Sequence, residues 1–166
     1  GKALGKDVTI ADLENDYDAV FLAPGLWSGK QLKIPGLEES KAVDALKFLA
    51  SSKARGKGEV KVEKNVLVVG GGSVAADAAL LAKHSGAAGV TLICLESEEE
   101  MPCLASELVE MKSKGIQIEN SWGPKEAVSE SQMSFVRCLS VFDIEGKFRP
   151  SYDDSTTMTR DYDQLI

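Results

Sequence analysis

The sequence has 166 residues, of which 43% are hydrophobic and 27% charged, ordinary values for a globular domain with a core of its own. Nineteen Lys and Arg against 26 Asp and Glu leave a net charge of −7, which argues against a nucleic-acid-binding surface. No apolar run approaches the ~20 residues that cross a membrane, and none reads as a signal peptide.

In chain order, residues 1–17 are polar, with a short amphipathic stretch at 9–13. Residues 18–23 form a compact apolar run closed by Pro24 and Gly25, which reads as a buried strand and turn. Residues 26–40 read as loop, and 41–49 place Val43, Leu46 and Leu49 on one helical face. Residues 51–64 are charged and nearly free of large apolar side chains, so they read as a linker. A βαβ pattern follows. Residues 65–69 are a β-branched run, as in a strand covered on both faces. Residues 73–84 are an Ala-rich helix, and 90–95 a second buried strand. A helix is expected from Pro102 to Lys114, since Pro suits a first helical position and Gly115 a stop. A short strand at 116–118 comes next. Strand-like runs at 135–142, 147–149, 156–159 and 162–166 then suggest an antiparallel hairpin or meander. The class is α/β: a Rossmann-like parallel sheet with helices on both faces, plus that antiparallel element.

The sharpest motif is Gly70-Gly71-Gly72-Ser73-Val74-Ala75, a G-x-G-x-x-A pattern. It follows a strand, opens a helix and leads to a second strand about 20 residues on, the context a dinucleotide fingerprint needs. Gly70 permits the tight turn, Gly72 lets a pyrophosphate approach the backbone, and Ala75 lets helix and strand pack closely. Free N–H groups at the helix start face the phosphates. The end of the second strand selects the cofactor: an acid binds the ribose hydroxyls of NAD, an Arg the phosphate of NADP. Here Glu96, Glu98, Glu99 and Glu100 stand with no base among them, which favours NAD(H) over NADP(H). The bland alternative is a solvated helix entry that Ser97 caps.

Residues 66–79, 90–93, 99–102 and 122–126 resemble the pyridine-nucleotide domain of one flavoprotein group. That group comprises the glutamate synthase small subunit, the related part of dihydropyrimidine dehydrogenase and similar iron–sulfur flavoenzymes. Residues 17–25 resemble a strand that ends in Ala-Thr-Gly there, and 34–36 the segment shortly after it. The resemblance implies FAD in one Rossmann-like domain, with a nicotinamide domain inserted into its sequence. NAD(P)H delivers hydride to the flavin, and electrons leave through iron–sulfur clusters to a partner site. It assigns Gly70, Gly71, Gly72, Ser73, Val74 and Ala75 to cofactor contact and matches Asp77 to a recurring acid. Glu96 is the first choice for the ribose, although the acid of related reductases aligns nearer Cys94.

Three departures qualify this. Leu95, Glu96 and Glu98 stand where NADP-using members carry Arg. No second glycine fingerprint and no Cys cluster is present, so FAD and clusters belong to the parent enzyme and not to this piece. The chain ends where the family continues. The expected organisation is therefore a flank resembling FAD-domain sequence (1–50), a linker (51–64) and a C-terminally truncated nucleotide domain (65–166), an excised piece that binds nucleotide without turnover.

Two rivals remain: a stand-alone dehydrogenase, and a non-catalytic scaffold or regulatory domain. A dehydrogenase needs a proton-handling residue, yet the single His84 ends a helix and Tyr17, Tyr152 and Tyr162 carry no motif. No catalytic residue and no metal site is therefore assigned. Residues 25–31 imitate a P-loop but are one residue short, with Gln31 where Ser or Thr would hold Mg²⁺. Cys94, Cys103 and Cys138 fit no metal or disulfide spacing and point to a reducing, cytoplasmic compartment. Trp122 reads as loop packing. Residues 15–21 and 160–166 are similar runs, so the first is a candidate for the sheet position beside the strand at 65–69.

Overall fold

A computed structural model describes residues 1–25, 29, 33–38, 41–55 and 60–166, with 53–55 described as helix alone. The helices are α1 (Ile10–Asp16), α2 (Ala45–Arg55), α3 (Ser73–His84) and α4 (Ala105–Ser113). The strands are β1 (Asn65–Val69), β2 (Gly89–Ile93), β3 (Gln117–Glu119), β4 (Trp122–Ser129), β5 (Gln132–Phe142), β6 (Phe148–Asp161) and β7 (Gln164–Leu165). Strands β3-β2-β1-β7 form a parallel sheet, and β4-β5-β6 an antiparallel one inserted between β3 and β7.

Alternation along the parallel strands builds two cores. Val66, Val68, Val90, Leu92 and Cys94 face α2, α3 and α4, meeting Phe48, Met111 and four alanines of α3. Those alanines, Ala76, Ala78, Ala79 and Ala82, are fully buried, so α3 lies close against the sheet. Leu67 and Ile93 face the other way and meet Met133, Phe135, Tyr162 and Ile34. Helices therefore cover one face of the sheet, and the antiparallel sheet covers the other in place of a second helical layer. Strand β5 is its central strand and holds no Pro, whereas Pro124 and Pro150 sit in the edge strands β4 and β6, where a missing N–H costs no ladder bond.

Several local expectations shift. Residues 18–23 form no strand, and Phe21 is 92% exposed. The sheet position beside β1 belongs to β7, with Val66 opposite Gln164 and Leu67 opposite Leu165. Asp163 secures it, since its carboxylate accepts the Asn65 backbone and side-chain N–H groups at 2.9 and 2.8 Å. Helix α2 starts later than expected, because Asp44 caps it by accepting the Lys47 N–H at 3.0 Å, and it runs to Arg55 through the start of the charged stretch. Beyond it Val60 is buried in the helical core and Val62 packs against that core, so the end of this stretch is anchored. The 56–59 part of that stretch, and the P-loop-like run at 26–28 and 30–31, lie outside the described residues. Helix α4 starts at Ala105, three residues after Pro102, where the Glu107 carboxylate accepts the Leu104 N–H at 2.8 Å. The separate runs at 147–149 and 156–159 are one long strand, β6. Trp122 begins β4, which was not expected at all.

One ion pair links the two sheets at the ends of β3 and β6. The Arg160 Nε lies 2.9 and 3.0 Å from the two Glu119 carboxylate oxygens, and its terminal nitrogen 2.9 Å from one of them. Bidentate geometry and a 10% exposed Glu119 side chain lift this pair above ordinary surface pairs. Glu119→Gln is expected to cost about 1–2 kcal/mol, which thermal melting reads as a Tm lower by about 4 °C. An unchanged Tm at low salt overturns that assignment.

A second test uses Cys94, which is 2% exposed in the helical core. Burial first, then the Glu96 carboxylate, push its thiol up to about 12. The unfolded chain therefore loses this proton from about pH 9 while the folded chain keeps it, so stability is complete below pH 9 and falls between 9 and 12. Cys94→Ala is expected to flatten that alkaline decline, measured as urea midpoint against pH. An equally steep decline in the variant counts against it.

Candidate functional site: a glycine turn beside a cleft

The turn from β1 into α3 is built by glycines with distinct tasks. Gly70 has φ +143°, a left-handed region that side chains disfavour, and its N–H donates to the Ile93 carbonyl at 2.9 Å. A Cβ placed on Gly70 would stand 3.4 Å from the Cβ of Ala75, so a small residue at 75 keeps α3 tight on the turn. Gly72 caps α3 without a side chain, and its carbonyl accepts the N–H groups of Ala75 and Ala76 at 2.9 and 3.0 Å. The space where its Cβ would project is open, with Pro102 the nearest group at 4.0 Å. The earlier N–H groups of the helix, at Ser73 and Val74, have no carbonyl within the helix to bond.

The turn opens on a cleft of about 770 Å³. Val69, Gly72, Val74 and Ala75 wall one side, Leu165 and Ile166 of the β7 segment another, and residues 42–47 at the start of α2 a third. The cleft lies at the carboxyl ends of β1 and β7. There the chain order reverses, with β2 on one flank of β1 and β7 on the other. Ligands of open α/β sheets bind at this switch point. Two bonds hold its floor: Val69 N–H to the Ile166 carbonyl, and Val43 N–H to the Leu165 carbonyl, each at 2.9 Å.

Gly71 faces the other way, toward the end of β2. A Cβ there would meet a Glu96 carboxylate oxygen at 2.7 Å and the Cβ of Cys94 at 3.1 Å. The Glu96 carboxylate therefore stands against the glycine turn. The four acids of 96–100 have different roles. Glu98 pairs with Lys112 at 2.5 Å, and Glu100 accepts the Ser97 N–H at 3.2 Å. Among the described residues Glu96 has no cationic partner and is half-buried.

Gly70, Gly71, Gly72, Ser73, Val74, Ala75 and Glu96 are thus brought to one place. Asp77 is not. It lies on the side of α3 toward α4, outside the cleft lining, where burial and then Glu107 and Glu110 raise its carboxyl above the usual range. His84 is exposed at the far end of α3, ~16 Å from the turn at 1.5 Å per residue. Sequence reading missed the contribution of residues 42–47 and 165–166 to the cleft walls. Residues 41–49 read only as a helical face, and a wall of Ala, Val and Leu carries no motif.

A dinucleotide fits what is present: an open cradle at Gly72, helix-start amides, a mostly apolar cleft, and the Glu96 carboxylate on the β2 side of the turn. Among the described residues no helix is long and apolar enough to cross a membrane.

Residues 3–146 match the family described as pyridine nucleotide-disulphide oxidoreductase. The chain is 36% identical over 154 residues to the NADP(+)-dependent formate dehydrogenase subunit beta of Moorella thermoacetica, covering 89% of this chain and 22% of that protein. It is 30% identical over 132 residues to the NAD-dependent dihydropyrimidine dehydrogenase subunit PreT of Escherichia coli O157:H7, with coverage of 80% and 31%. It is 24% identical over 177 residues to the glutamate synthase [NADPH] small chain of Azospirillum brasilense, with coverage of 98% and 37%. The chain thus spans about a fifth to about a third of the length of these relatives. In fold it is similar to FprA of Mycobacterium tuberculosis, with a TM-score of 0.75 at 18% identity over 99% of this chain and 52% of that one. The chain belongs to the pyridine nucleotide-disulphide oxidoreductase family, and the three relatives above carry NAD, NADP(+) or NADPH in their names.

Proposed function

We propose that this chain is the nicotinamide-dinucleotide-binding part of a flavin- and iron–sulfur-dependent oxidoreductase, and that it takes NAD(H) in preference to NADP(H). The observation that carries the reading is the Glu96 carboxylate, unpaired and set against Gly71, across a glycine turn that opens on the switch-point cleft. The pyrophosphate lies over Gly70, Gly71 and Gly72, against the Ser73 and Val74 amides. The adenosine ribose meets Glu96 at the end of β2, and the nicotinamide half extends along the cleft beside Ala75. Bound there, the nicotinamide supplies hydride to a flavin, and the protein contributes position and charge. No residue of the chain acts as a proton donor in this scheme.

Two of the three relatives carry NADP(+) or NADPH in their names and one carries NAD, so the names leave the choice open. Charge supports NAD(H) here. A 2′-phosphate placed at Glu96 meets a carboxylate with no cation to offset it, whereas ribose hydroxyls donate to it. The flavin domain and the iron–sulfur electron acceptor are partners in the parent enzyme, which works in the cytoplasm. Residues 65–166 make up the nucleotide domain. The segment 1–50 belongs with the flavin domain in sequence, although Ile34 and Phe48 bury themselves in the two cores described above.

Titration of the purified protein, followed by nicotinamide fluorescence, is expected to give a lower Kd for NADH than for NADPH. Glu96→Gln is expected to reduce that preference about fivefold or more, the effect of one charge-assisted hydrogen bond. Tighter NADPH binding by the unaltered protein overturns the NAD reading. Gly72→Ala supplies a separate test of the cradle. The new methyl enters open space at φ −85°, so melting is expected to be unchanged while both nucleotides bind at least about tenfold more weakly. Undiminished binding in that variant removes the pyrophosphate from the turn.

A further inference from the structure

Beyond the end of β2 the chain carrying Glu96 leaves the sheet, yet it is not loose. Residues 119–122, leaving β3, cross it and bond to it at every step. The Cys94 N–H donates to the Glu119 carbonyl at 3.1 Å, and the Trp122 N–H donates to the Cys94 carbonyl at 2.8 Å. The Glu96 carbonyl accepts the Ser121 N–H at 3.0 Å and the Asn120 Nδ2 at 3.2 Å. The same Asn120 amide reaches the Cys94 Sγ at 3.3 Å, and that Sγ lies 3.6 Å from the Glu96 carbonyl.

The corner that makes this possible is strained. Among the described residues Ser121 is the one non-glycine with a left-handed φ, 63°. Such a conformation persists only where the surroundings over-determine it, and it concentrates at functional sites. Here the surroundings are on both sides of the residue. The Ser121 N–H is spent on Glu96, and its carbonyl accepts the Cys138 N–H of β5 at 2.9 Å. The corner therefore ties the antiparallel sheet to the Glu96 backbone. The Glu96 side chain leaves that fixed backbone and ends against Gly71.

We propose that Asn120 and Ser121 are positioning residues for cofactor selection: they fix the Glu96 backbone so that its carboxylate stands at the glycine turn, and they set NADH over NADPH without touching either nucleotide. The inference rests on the reading of Glu96 as the ribose contact. It assigns a role to Asn120 through its amide donor and to Ser121 through its backbone angle. The two residues therefore respond to different substitutions.

The test measures NADH and NADPH Kd values by nicotinamide fluorescence, with melting alongside, for Asn120→Leu, Asn120→Ala, Ser121→Asn and Glu96→Gln. Asn120→Leu keeps the approximate shape and loses the donor without adding charge. Both Asn120 variants are expected to reduce the NADH preference about fivefold, the effect of one hydrogen bond, and to add nothing further in a Glu96→Gln background. Ser121→Asn is expected to keep the preference, because Asn tolerates the left-handed region. A merely structural role lowers the melting temperature and weakens both nucleotides alike, so an unchanged ratio in Asn120→Leu and Asn120→Ala overturns the inference. So does a reduction of equal size in the Glu96→Gln background. If Glu96→Gln itself leaves the ratio unchanged, the ribose reading fails and the role proposed for the corner fails with it. If Glu96→Gln lowers the ratio and the Asn120 variants do not, only the corner's role fails.

Discussion

The close approach of α3 to β1 and β2 is the constraint on which the rest of the molecule depends. It is paid for at two points, a left-handed Gly70 and a row of fully buried alanines along the helix. A larger side chain at Ala76, Ala79 or Ala82 would force the helix outward and carry the glycine turn with it, because interiors at crystal-like density do not absorb extra methylenes. The helix start is thus located by packing along its whole length, from a core that never meets the ligand. That separation allows the turn itself to stay open: Gly72 is backed by nothing within 4 Å except the edge of Pro102.

The two faces of the parallel sheet have different work. The helical face holds α3 in place. The other face is covered by β4, β5 and β6, and these strands also reach round to the end of β2. Gly123 shows how tightly they meet it, since a Cβ there would lie 2.6 Å from the Tyr152 ring and 2.9 Å from the Leu95 side chain. The Arg137 guanidinium lies over the Trp122 ring at 5.3 Å from its centre, a cation–π contact that closes the same region. Charge at the β2 end is therefore set within a rigid frame. One acid, Glu96, faces the turn, while Glu98 is engaged with Lys112 and Glu100 with the Ser97 amide.

The amino-acid pattern made the βαβ unit legible almost residue by residue, because a β-branched run, three glycines and an alanine-rich helix each carry local chemistry. It marked the acidic run at 96–100 too, where Glu96 stands against the turn. It did not reveal that Glu98 is ion-paired while Glu96 stands against the turn, since that depends on Lys112 from a helix later in the chain. Strand β4 was illegible for a local reason: Pro124 interrupts it and two register shifts against β5 break its alternation. The similar runs at 15–21 and 160–166 show the limit most clearly. Both read as strands, and only the second lies in the sheet. Both runs carry the same Asp, Asp18 in the first and Asp163 in the second, so the run itself does not decide; the contact of the Asp163 carboxylate with Asn65 does. Layer order was likewise out of reach. A strand buried on both faces shows the same hydrophobic run whether a helix or another sheet covers it.

The pairing of β1 with β7 joins Val66 to Gln164 across nearly the whole of the described domain, and the cleft walls at Leu165 and Ile166 depend on it. Closing so long a loop costs little in equilibrium free energy, because that cost grows only with the logarithm of loop length. It weighs instead on speed, since contacts distant in sequence slow folding. The glycine turn and Glu96 are assembled from residues within about 30 positions of one another, while the cleft waits for the last strand. The glycine turn and the cleft it opens on thus belong to different stages of the molecule's history.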